Sequence, residues 1–283
     1  MNILLYQSAI IAIKAGELVL KYYGLEEFAL KSDSSPLTKA DLESNTFITQ
    51  ELQENSPYKI CSEEAVLEYE ERKDLEYYWL IDPLDGTKDF LAKNGGFTIN
   101  IALIHKNRPI LGVVYAPAFY QLYSALKGFG SFTYTPQTLK DALDSKTLNP
   151  AWLEQNKQRL SGERIAKEEQ IIACDSLFHS TKETQDFIAK YHLKVQKYGS
   201  SLKVCALAEG KADIYPRLNG TSEWDSAASD IVLEEAGGVI LDCESKKPLQ
   251  YNKPSVRNPY FLAFAKSQVG GAIYKDILAS PYA

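Results

Sequence analysis

The segment WLIDPLDGTKDF, residues 79–90, joins a short apolar run directly to two aspartates, a proline and a Gly-Thr pair. The apolar run predicts a buried strand, and because Pro83 cannot donate to a strand ladder or extend a helix, we expect the chain to turn at Asp82. A three-residue step through such a turn can direct the carboxylates of Asp82 and Asp85 at one point. Two ionised carboxylates at close range repel each other unless a cation lies between them or one keeps its proton. Oxygen ligands favour a hard ion such as Mg²⁺, and the turn frees the carbonyl of Leu84 as a further ligand.

The same segment is also compatible with a purely structural turn. An Asp-Pro turn followed by an Asp-Gly turn uses both aspartates to cap backbone amides, so the aspartates alone leave the two interpretations open. Gly86 favours the metal site because it allows another group to approach the backbone closely. Thr87 supplies a hydroxyl at a predicted helix start, where backbone N–H groups favour a phosphate. The D-x-D-G-T motif of haloacid-dehalogenase phosphatases is a rival, but here two residues separate the aspartates, which changes their relative direction in an extended segment.

The rest of the chain predicts two halves that differ in the order of their helices and strands. Residues 1–23 carry apolar side chains at helical spacing, and a second helix is expected from about Thr38. Strand-like runs between residues 97 and 126 follow each other through short turns, which predicts an antiparallel meander. From residue 171 onward strand-like and helix-like segments alternate, which indicates helices packed on the faces of a sheet. We therefore expect an α+β or α/β fold, a layered αβαβα sandwich in which an antiparallel-sheet half precedes an α/β half.

The boundary between the halves is expected in a polar stretch. Residues 134–170 contain only scattered apolar side chains, which predicts a surface excursion. We place the N-terminal half at residues 1–165 and the C-terminal half at residues 166–283.

Charge and composition narrow the class of protein. The net charge of −6 argues against a nucleic-acid groove, because phosphate backbones require clustered Lys and Arg. The four cysteines form no C-x-x-C pair, which predicts reduced thiols rather than a zinc or dithiol motif. The apolar N-terminus lacks a basic segment and a cleavage site, and Lys14 and Glu17 interrupt it too early for a membrane span. We expect a cytoplasmic protein with a small-molecule ligand and no transmembrane segment; peripheral membrane association and oligomeric state stay open.

Three further acidic motifs have ordinary explanations when each is taken alone. Glu63 and Glu64 follow a short apolar run, and adjacent glutamates usually mark a solvated helix start. Asp225 stands at the start of a predicted helix, where it would cap backbone amides or complement the helix dipole. Thr38 and Asp41 have the spacing of a capping box.

The order of these motifs, however, resembles that of a known family. SPLTKAD, SEE, WLIDPLDGTKDF and WDSAASDIVLEEAGG follow one another as in the inositol-monophosphatase superfamily of Mg²⁺-dependent, lithium-sensitive phosphatases. The stretch GSSLKVCALAEGKADIYPR, residues 199–217, is similar to its 3′(2′),5′-bisphosphate nucleotidase branch. The resemblance covers most of the chain.

The resemblance implies a role for each matching residue. The implied metal ligands, for two or more Mg²⁺ ions, are Glu63, Asp82, the Leu84 carbonyl, Asp85 and Asp225. The implied catalytic set is Asp41 and Thr87, which orient the attacking water, together with Glu63. The implied substrate-binding set is Glu63, Leu84, Asp85, Gly86, Thr87, His179, Ser200, Ser201, Lys203, Arg217 and Asp225. On residue type alone, the serines could equally be helix caps and the two cations solvated.

One motif departs from the family pattern. Where the family often has S-R-S-H before a helix, this chain has Ser176, Leu177, Phe178 and His179. The histidine is retained, but an arginine and a serine are replaced by apolar residues. Loss of a cation beside a nucleotide pocket would weaken or redirect substrate choice.

The resemblance implies hydrolysis of the 3′-phosphate of adenosine 3′,5′-bisphosphate to AMP and phosphate. Because Asp225 belongs to the second half, the active site is expected between the halves. Two alternatives stay open: an inositol monophosphatase or sugar-phosphate phosphatase of the same superfamily, and a non-catalytic nucleotide sensor.

Overall fold

Helices and sheets alternate in five layers, as the computed structural model shows for residues 1–25, 28–30, 36–165 and 169–279. The described helices are α1 (Asn2–Tyr22), α2 (Lys39–Asn55), α3 (Tyr69–Arg72), α4 (Thr87–Leu91), α5 (Pro136–Asp144), α6 (Pro150–Asn156), α7 (Lys182–Lys190), α8 (Leu202–Ala208), α9 (Glu223–Glu235) and α10 (Ala272–Ala279). The described strands are β1 (Phe28–Leu30), β2 (Pro36–Thr38), β3 (Lys59–Ser62), β4 (Tyr77–Asp85), β5 (Thr98–His105), β6 (Arg108–Ala116), β7 (Gln121–Leu126), β8 (Gly130–Thr133), β9 (Gln158–Arg159), β10 (Ile172–Ser176), β11 (Lys194–Tyr198), β12 (Ile214–Arg217), β13 (Val239–Asp242) and β14 (Phe261–Phe264).

Two sheets form the second and fourth layers. The larger sheet has the order β3-β4-β5-β6-β7-β8-β9, in which β3 and β4 are parallel and the other neighbours are antiparallel. The smaller sheet has the order β11-β10-β12-β14-β13, in which β10 runs parallel to both of its neighbours and β14 antiparallel to both of its own. The predicted meander and the predicted alternating half are both confirmed.

The helices cover both sheets and also fill the space between them. Helices α1 and α2 pack on the outer face of the larger sheet, and α7 and α10 pack on the outer face of the smaller one. Helices α8 and α9 lie between the sheets, in a core that contains side chains from both. The predicted αβαβα sandwich is therefore confirmed. The proposed boundary at residue 165 falls between the last strand of one sheet and the first of the other, although the two sheets share this central core.

Close contact between α9 and the larger sheet depends on a glycine. A β-carbon at Gly112 on β6 would lie 2.3 Å from the carbonyl oxygen of Ala228 and 2.4 Å from a methyl carbon of Ile231, both on α9. Interior atoms do not approach this closely, so only glycine allows the helix to sit where it does. This contact matters because α9 carries Asp225.

The stretch predicted as a surface excursion contains secondary structure that packs on the core. Helices α5 and α6 and strand β9 occupy much of residues 134–160, and the side chains of Leu139 and Leu153 are fully buried. The prediction was wrong there because a few apolar residues at helical spacing suffice to bury one side of a short helix.

Helix α1 has the length and apolar composition of a membrane span, but 56% of its apolar window is buried inside the protein. It packs on the larger sheet, as expected of a core helix.

Candidate active site

A cleft of about 530 Å³ lies between the two halves and contains most of the predicted site residues. It is lined from the first half by residues around the DPLDGTK segment and from the second by residues of α8, β12, α9 and nearby loops. Every predicted site residue except Asp41 lines it: Glu63, Asp82, Leu84, Asp85, Gly86, Thr87, His179, Ser200, Ser201, Lys203, Arg217 and Asp225. The sequence therefore identified residues that the fold brings together from distant parts of the chain.

The two aspartates of the DPLD segment lie inside a strand rather than beyond its end. Strand β4 continues to Asp85, and its pairing with β5 is interrupted between Asp82 and Asp85. A bulge of this kind re-aims side chains without ending the strand. The backbone N–H of Leu84 donates to the Asp82 carboxylate at 3.1 Å, and Ser44 on α2 donates to the carbonyl of Pro83 at 2.8 Å. The segment that we expected to turn is thus a β-bulge, and these two hydrogen bonds stabilise it.

Three carboxylates converge in the cleft. Asp82, Asp85 and Asp225 each offer an oxygen within 4.8 Å of the others, although they lie on β4 and α9. Burial raises the pKa of Asp82 well above its usual range, and the negative charges of Glu63 and Asp85 add to the effect. Burial and then the charge of Asp85 raise the pKa of Asp225 to about 7. The cluster therefore carries more negative charge than the protein itself neutralises.

Asp225 is both a helix cap and a member of this cluster. It is the third residue of α9, and one of its oxygens accepts from the backbone N–H of Ser222 at 2.8 Å in a capping box. The cap fixes the carboxylate at the start of α9, where it lines the cleft. The structural explanation for this residue is therefore confirmed, and the cap leaves its carboxylate within the acidic cluster, as the metal-ligand prediction requires.

Glu63 lies at the edge of the cluster. It follows β3, lines the cleft and repels Asp82 electrostatically. Among the described residues, the carboxylates with oxygens within 4.8 Å of one another are those of Asp82, Asp85 and Asp225. Glu63 does not belong to this group.

Thr87 lines the cleft and contacts Asp41, which lies behind it. The Thr87 hydroxyl lies 3.5 Å from one oxygen of Asp41 and 3.4 Å from the Leu84 carbonyl. The other oxygen of Asp41 accepts from the backbone N–H and the hydroxyl of Thr38, at 2.7 and 2.5 Å. The capping box of α2 therefore holds a buried carboxylate in a fixed orientation beneath Thr87.

Ser200 and Ser201 contact Asp85. The hydroxyl of Ser200 donates to the Asp85 carboxylate, and the backbone N–H and hydroxyl of Ser201 donate to the same oxygen at 3.1 and 3.3 Å. The side-chain amide of Asn100 joins them, at 3.3 Å from Asp85 and 3.0 Å from the Ser201 hydroxyl. Asn100 was missed from the sequence. The feature that could have identified it is a polar side chain within an apolar strand-like run, two positions after Thr98.

Glycines allow the loop that carries these serines to meet the first half. A β-carbon at Gly199 would lie 2.1 Å from the carbonyl oxygen of Gly96, so the two backbones touch. This contact brings Ser200 and Ser201 within reach of Asp85.

Basic groups line another part of the cleft. Lys203 is only 6% exposed, and burial together with the charge of Arg217 lowers its pKa to about 8. Burial and the nearby charges of Lys88, Arg217 and Lys203 lower the pKa of His179 to about 4. The histidine is therefore neutral at physiological pH. Lys88 lines the cleft but was not among the predicted site residues, although it belongs to the DPLDGTK segment.

The two departures from the family pattern lie off the cleft. Ser176 and His179 line it, whereas Leu177 and Phe178, which are 44% and 46% exposed, are not among its lining residues. The two apolar side chains therefore do not line the cleft, and the effect of this departure on substrate choice stays a prediction.

The donor set of the acidic cluster suits a hard divalent cation. It consists of the carboxylate oxygens of Asp82, Asp85 and Asp225. Burial and mutual repulsion raise the pKa of Asp82 and of Asp225. Mg²⁺ prefers such oxygen ligands, and its charge would relieve the repulsion.

The chain is similar to known proteins over most of its length. The model of the inositol monophosphatase family matches residues 4–275. The curated 3′(2′),5′-bisphosphate nucleotidase CysQ of Escherichia coli strain K12 is 36% identical over 258 residues, which cover 89% of this chain and 95% of the relative. The protein of the same name from Buchnera aphidicola is 37% identical over 235 residues, or 81% of each chain. The crystal structure of CysQ from Bacteroides thetaiotaomicron matches with a TM-score of 0.80 at 36% identity, covering 92% of this chain and 97% of that one.

Proposed function

This chain belongs to the inositol monophosphatase family, and on that premise we propose that it hydrolyses the 3′-phosphate of adenosine 3′,5′-bisphosphate to AMP and phosphate. The observation that carries the proposal is the pairing, in one cleft, of an acidic cluster with a cluster of cations. A substrate with one phosphate to be cleaved and a second phosphate to be bound complements both. The bisphosphate nucleotidase relatives, which align over most of the chain, support the same substrate class.

Proteins of this family are Mg²⁺-dependent in general, and the donor set described above fits that ion. We assign two or more Mg²⁺ ions to Glu63, Asp82, the Leu84 carbonyl, Asp85 and Asp225. When bound, Mg²⁺ supplies neutralisation of phosphate charge and acidification of a water molecule.

Asp41 and Thr87 are proposed to orient the attacking water. If the Thr87 hydroxyl gives its hydrogen to Asp41, the lone pairs of its oxygen are left to accept a hydrogen bond from that water. Support comes from the Thr87–Asp41 contact and from the two donors of Thr38 that hold the carboxylate. Glu63 lines the cleft, where its charge acts on Asp82, and is proposed to share in receiving the water's proton.

The remaining polar groups are proposed to bind the substrate. We assign the backbone amides of Gly86 and Thr87 to the reacting phosphate. Lys203, Arg217 and His179 are assigned to the nucleotide and its second phosphate, because cations pair strongly with phosphate oxygens. Ser200 and Ser201 are assigned to the nucleotide as well, beside the Asp85 carboxylate that they contact.

The two alternatives are less well supported. An inositol or sugar-phosphate phosphatase would share the acidic cluster, but the cations opposite it favour a ligand with a second anionic group. A non-catalytic sensor would have no use for the buried Asp41 beneath Thr87.

The test compares phosphate release from adenosine 3′,5′-bisphosphate, inositol 1-phosphate and fructose 1,6-bisphosphate at equal concentration with Mg²⁺. We expect kcat/KM for the nucleotide to lead by at least about tenfold, which corresponds to one good charge-assisted contact. EDTA should abolish the activity, excess Mg²⁺ should restore it, and Li⁺ should inhibit it. Faster turnover of inositol 1-phosphate would replace the proposal by its first alternative.

We propose a cytoplasmic location for this enzyme, with the small nucleotide bisphosphate as its partner. The fold and the relatives give no support to association with a membrane.

A further inference from the structure

Lys88 extends from the first half of the molecule into the cationic side of the cleft. It is the second residue of α4, it is exposed, and it lines the cleft together with residues of the second half. Its ammonium group lies 3.2 Å from Nε2 of His179, which follows β10. The contact therefore spans the two sides of the cleft.

His179 is held rigidly and has little positive charge to repel the lysine. Its backbone N–H donates to the Ser176 hydroxyl at 3.1 Å, and its carbonyl accepts from the side chain of Asn219 at 2.7 Å. Because the imidazole is neutral at physiological pH, Nε2 can accept a hydrogen bond from Lys88 when the ring proton is on Nδ1. A neutral ring is a weak partner for an ammonium group, so an anion would attract Lys88 away from it.

Lys88 is one of four cations that line the cleft, together with Lys203, Arg217 and Arg257. Among the described residues, no carboxylate oxygen lies within 4.0 Å of the charged nitrogens of Lys88, Lys203 or Arg217. Within the described part of the chain, the buried Nε of Arg217 has no hydrogen-bond partner, and the Lys203 ammonium makes a long contact of 3.4 Å to the Tyr198 carbonyl and lies 5.6 Å from the centre of the Tyr215 ring. Lys203 is buried and Arg217 is half-buried, and buried cations are normally paired, so these two together with the exposed Lys88 are arranged to receive an anion from outside the protein.

We propose that Lys88 is a specificity-determining residue that binds the second anionic group of the substrate, the phosphate that is not cleaved. This inference rests on the proposed function, since it assumes that the first phosphate is cleaved at the acidic cluster. It extends that function because it assigns recognition of the second phosphate to both halves of the molecule. The second phosphate is then bound by Lys88 from the first half and by Lys203 and Arg217 from the second.

The test measures discrimination between two substrates that differ only in the second phosphate. For the unaltered protein and for Lys88→Gln, kcat/KM is determined for adenosine 3′,5′-bisphosphate and for adenosine 3′-monophosphate. We expect the ratio of the two values to fall about tenfold or more in Lys88→Gln, mostly through KM, because a hydrogen bond to a charged group contributes about 1.5–3 kcal/mol. Lys88→Arg, which keeps the charge, should restore most of the ratio. Lys14→Gln, which removes an exposed lysine from α1 on the outer face of the larger sheet, serves as the matched control.

A second measurement does not depend on turnover. Calorimetric titration with AMP, which keeps the 5′-phosphate, should show weaker binding to Lys88→Gln than to the unaltered protein, whereas binding of adenosine should differ much less. A substrate ratio and an AMP affinity that both stay within about twofold of the unaltered protein would overturn the role of Lys88. Absence of nucleotide hydrolysis by the unaltered protein would instead overturn the proposed function, so the two failures are distinguishable.

Discussion

The backbone N–H of Ser201 donates to the Asp85 carboxylate at 3.1 Å and links a residue of the second half to one in the DPLDGTK segment of the first. The Ser201 hydroxyl donates to the same oxygen at 3.3 Å or to the carbonyl of Asp225 at 2.8 Å, and it accepts from the side chain of Asn100 at 3.0 Å. One hydroxyl therefore lies between the two aspartates that the fold brings together from β4 and α9. We infer that Ser201 fixes the positions of Asp85 and Asp225 relative to each other, so that both can bind one cation.

This position predicts a metal-binding phenotype for Ser201→Ala. The variant keeps the backbone donor but loses the hydroxyl, so Asp85 is less firmly oriented. Groups that orient metal ligands typically affect affinity or activity by about 10–100-fold when removed. We expect the Mg²⁺ concentration at half-maximal activity to rise about tenfold, and the free energy of unfolding to fall by no more than about 1–2 kcal/mol, because the buried hydroxyl takes its hydrogen bonds with it. Ser145→Ala, at an exposed position after α5, is the matched control. A normal Mg²⁺ dependence in Ser201→Ala would remove this role.

Asp85→Asn should abolish activity without unfolding the protein. Asn lacks the charge that binds the cation, and loss of several kcal/mol of transition-state stabilisation corresponds to about 1,000-fold or more in kcat. The metal-free variant should be at least as stable as the unaltered protein, because one of three mutually repelling carboxylates is gone. Phosphate release and thermal melting followed by circular dichroism measure the two effects. Asp74→Asn, on the exposed loop before β4, controls for charge loss alone. Near-normal turnover in Asp85→Asn would contradict the metal assignment.

The acidic cluster predicts a characteristic pH dependence of stability. The pKa of Asp225 is about 7 in the folded protein, against an ordinary value of 3.8, so the folded state binds this proton more tightly than the unfolded state. Its contribution to stability is fully present below about pH 4 and is lost as the pH rises through about 7. In EDTA, Tm should therefore fall between pH 5 and pH 7 more steeply for the unaltered protein than for Asp225→Asn. Mg²⁺ at pH 7 should raise the Tm of the unaltered protein, since it binds only the folded state. Equal slopes for the two proteins would show that Asp225 is not the group responsible.

Most of the fold could be predicted because its signals are local. Apolar periodicity and turn residues mark α1, the antiparallel meander and the alternating second half within windows of ten or twenty residues. The acidic residues were also predictable, because Asp82 and Asp85 are close in sequence and Asp225 belongs to a recognisable motif. Helices α5 and α6 were not predicted, because each buries only a narrow apolar stripe and the rest of the segment is polar.

The remaining features depend on contacts between distant segments. The bulge between Asp82 and Asp85 is defined by pairing with β5, which no property of the DPLD segment reveals. The hydrogen bond from Asn100 to Asp85 requires the pairing of β5 with β4, and the one from Ser201 requires a loop that lies 116 residues further along the chain. The resemblance assigns Ser201 to the nucleotide, which stays a prediction, but a sequence pattern does not show that the same residue also contacts Asp85.

Arg108 should prove essential for the placement of α9. Its guanidinium forms a bidentate ion pair with the buried Asp230, at 2.7 and 3.0 Å, and also donates to Glu234. The pair joins β6 to α9, the helix that carries Asp225. Arg108→Met would leave a buried carboxylate without its partner, and such a change typically costs about 3–5 kcal/mol. Urea unfolding should show this loss.

Two further variants separate the ion pair from simple loss of a side chain. Arg159→Met, at an exposed arginine of β9 that donates to the Phe129 carbonyl, should change the free energy of unfolding by less than about 1 kcal/mol. Adding Asp230→Asn to Arg108→Met removes the unpaired charge while keeping an acceptor for the Tyr251 hydroxyl, so it should recover at least about half of the lost stability. If the double variant is less stable than Arg108→Met alone, the cost does not come from an uncompensated charge, and the Asp230 carboxylate stabilises the helix by itself.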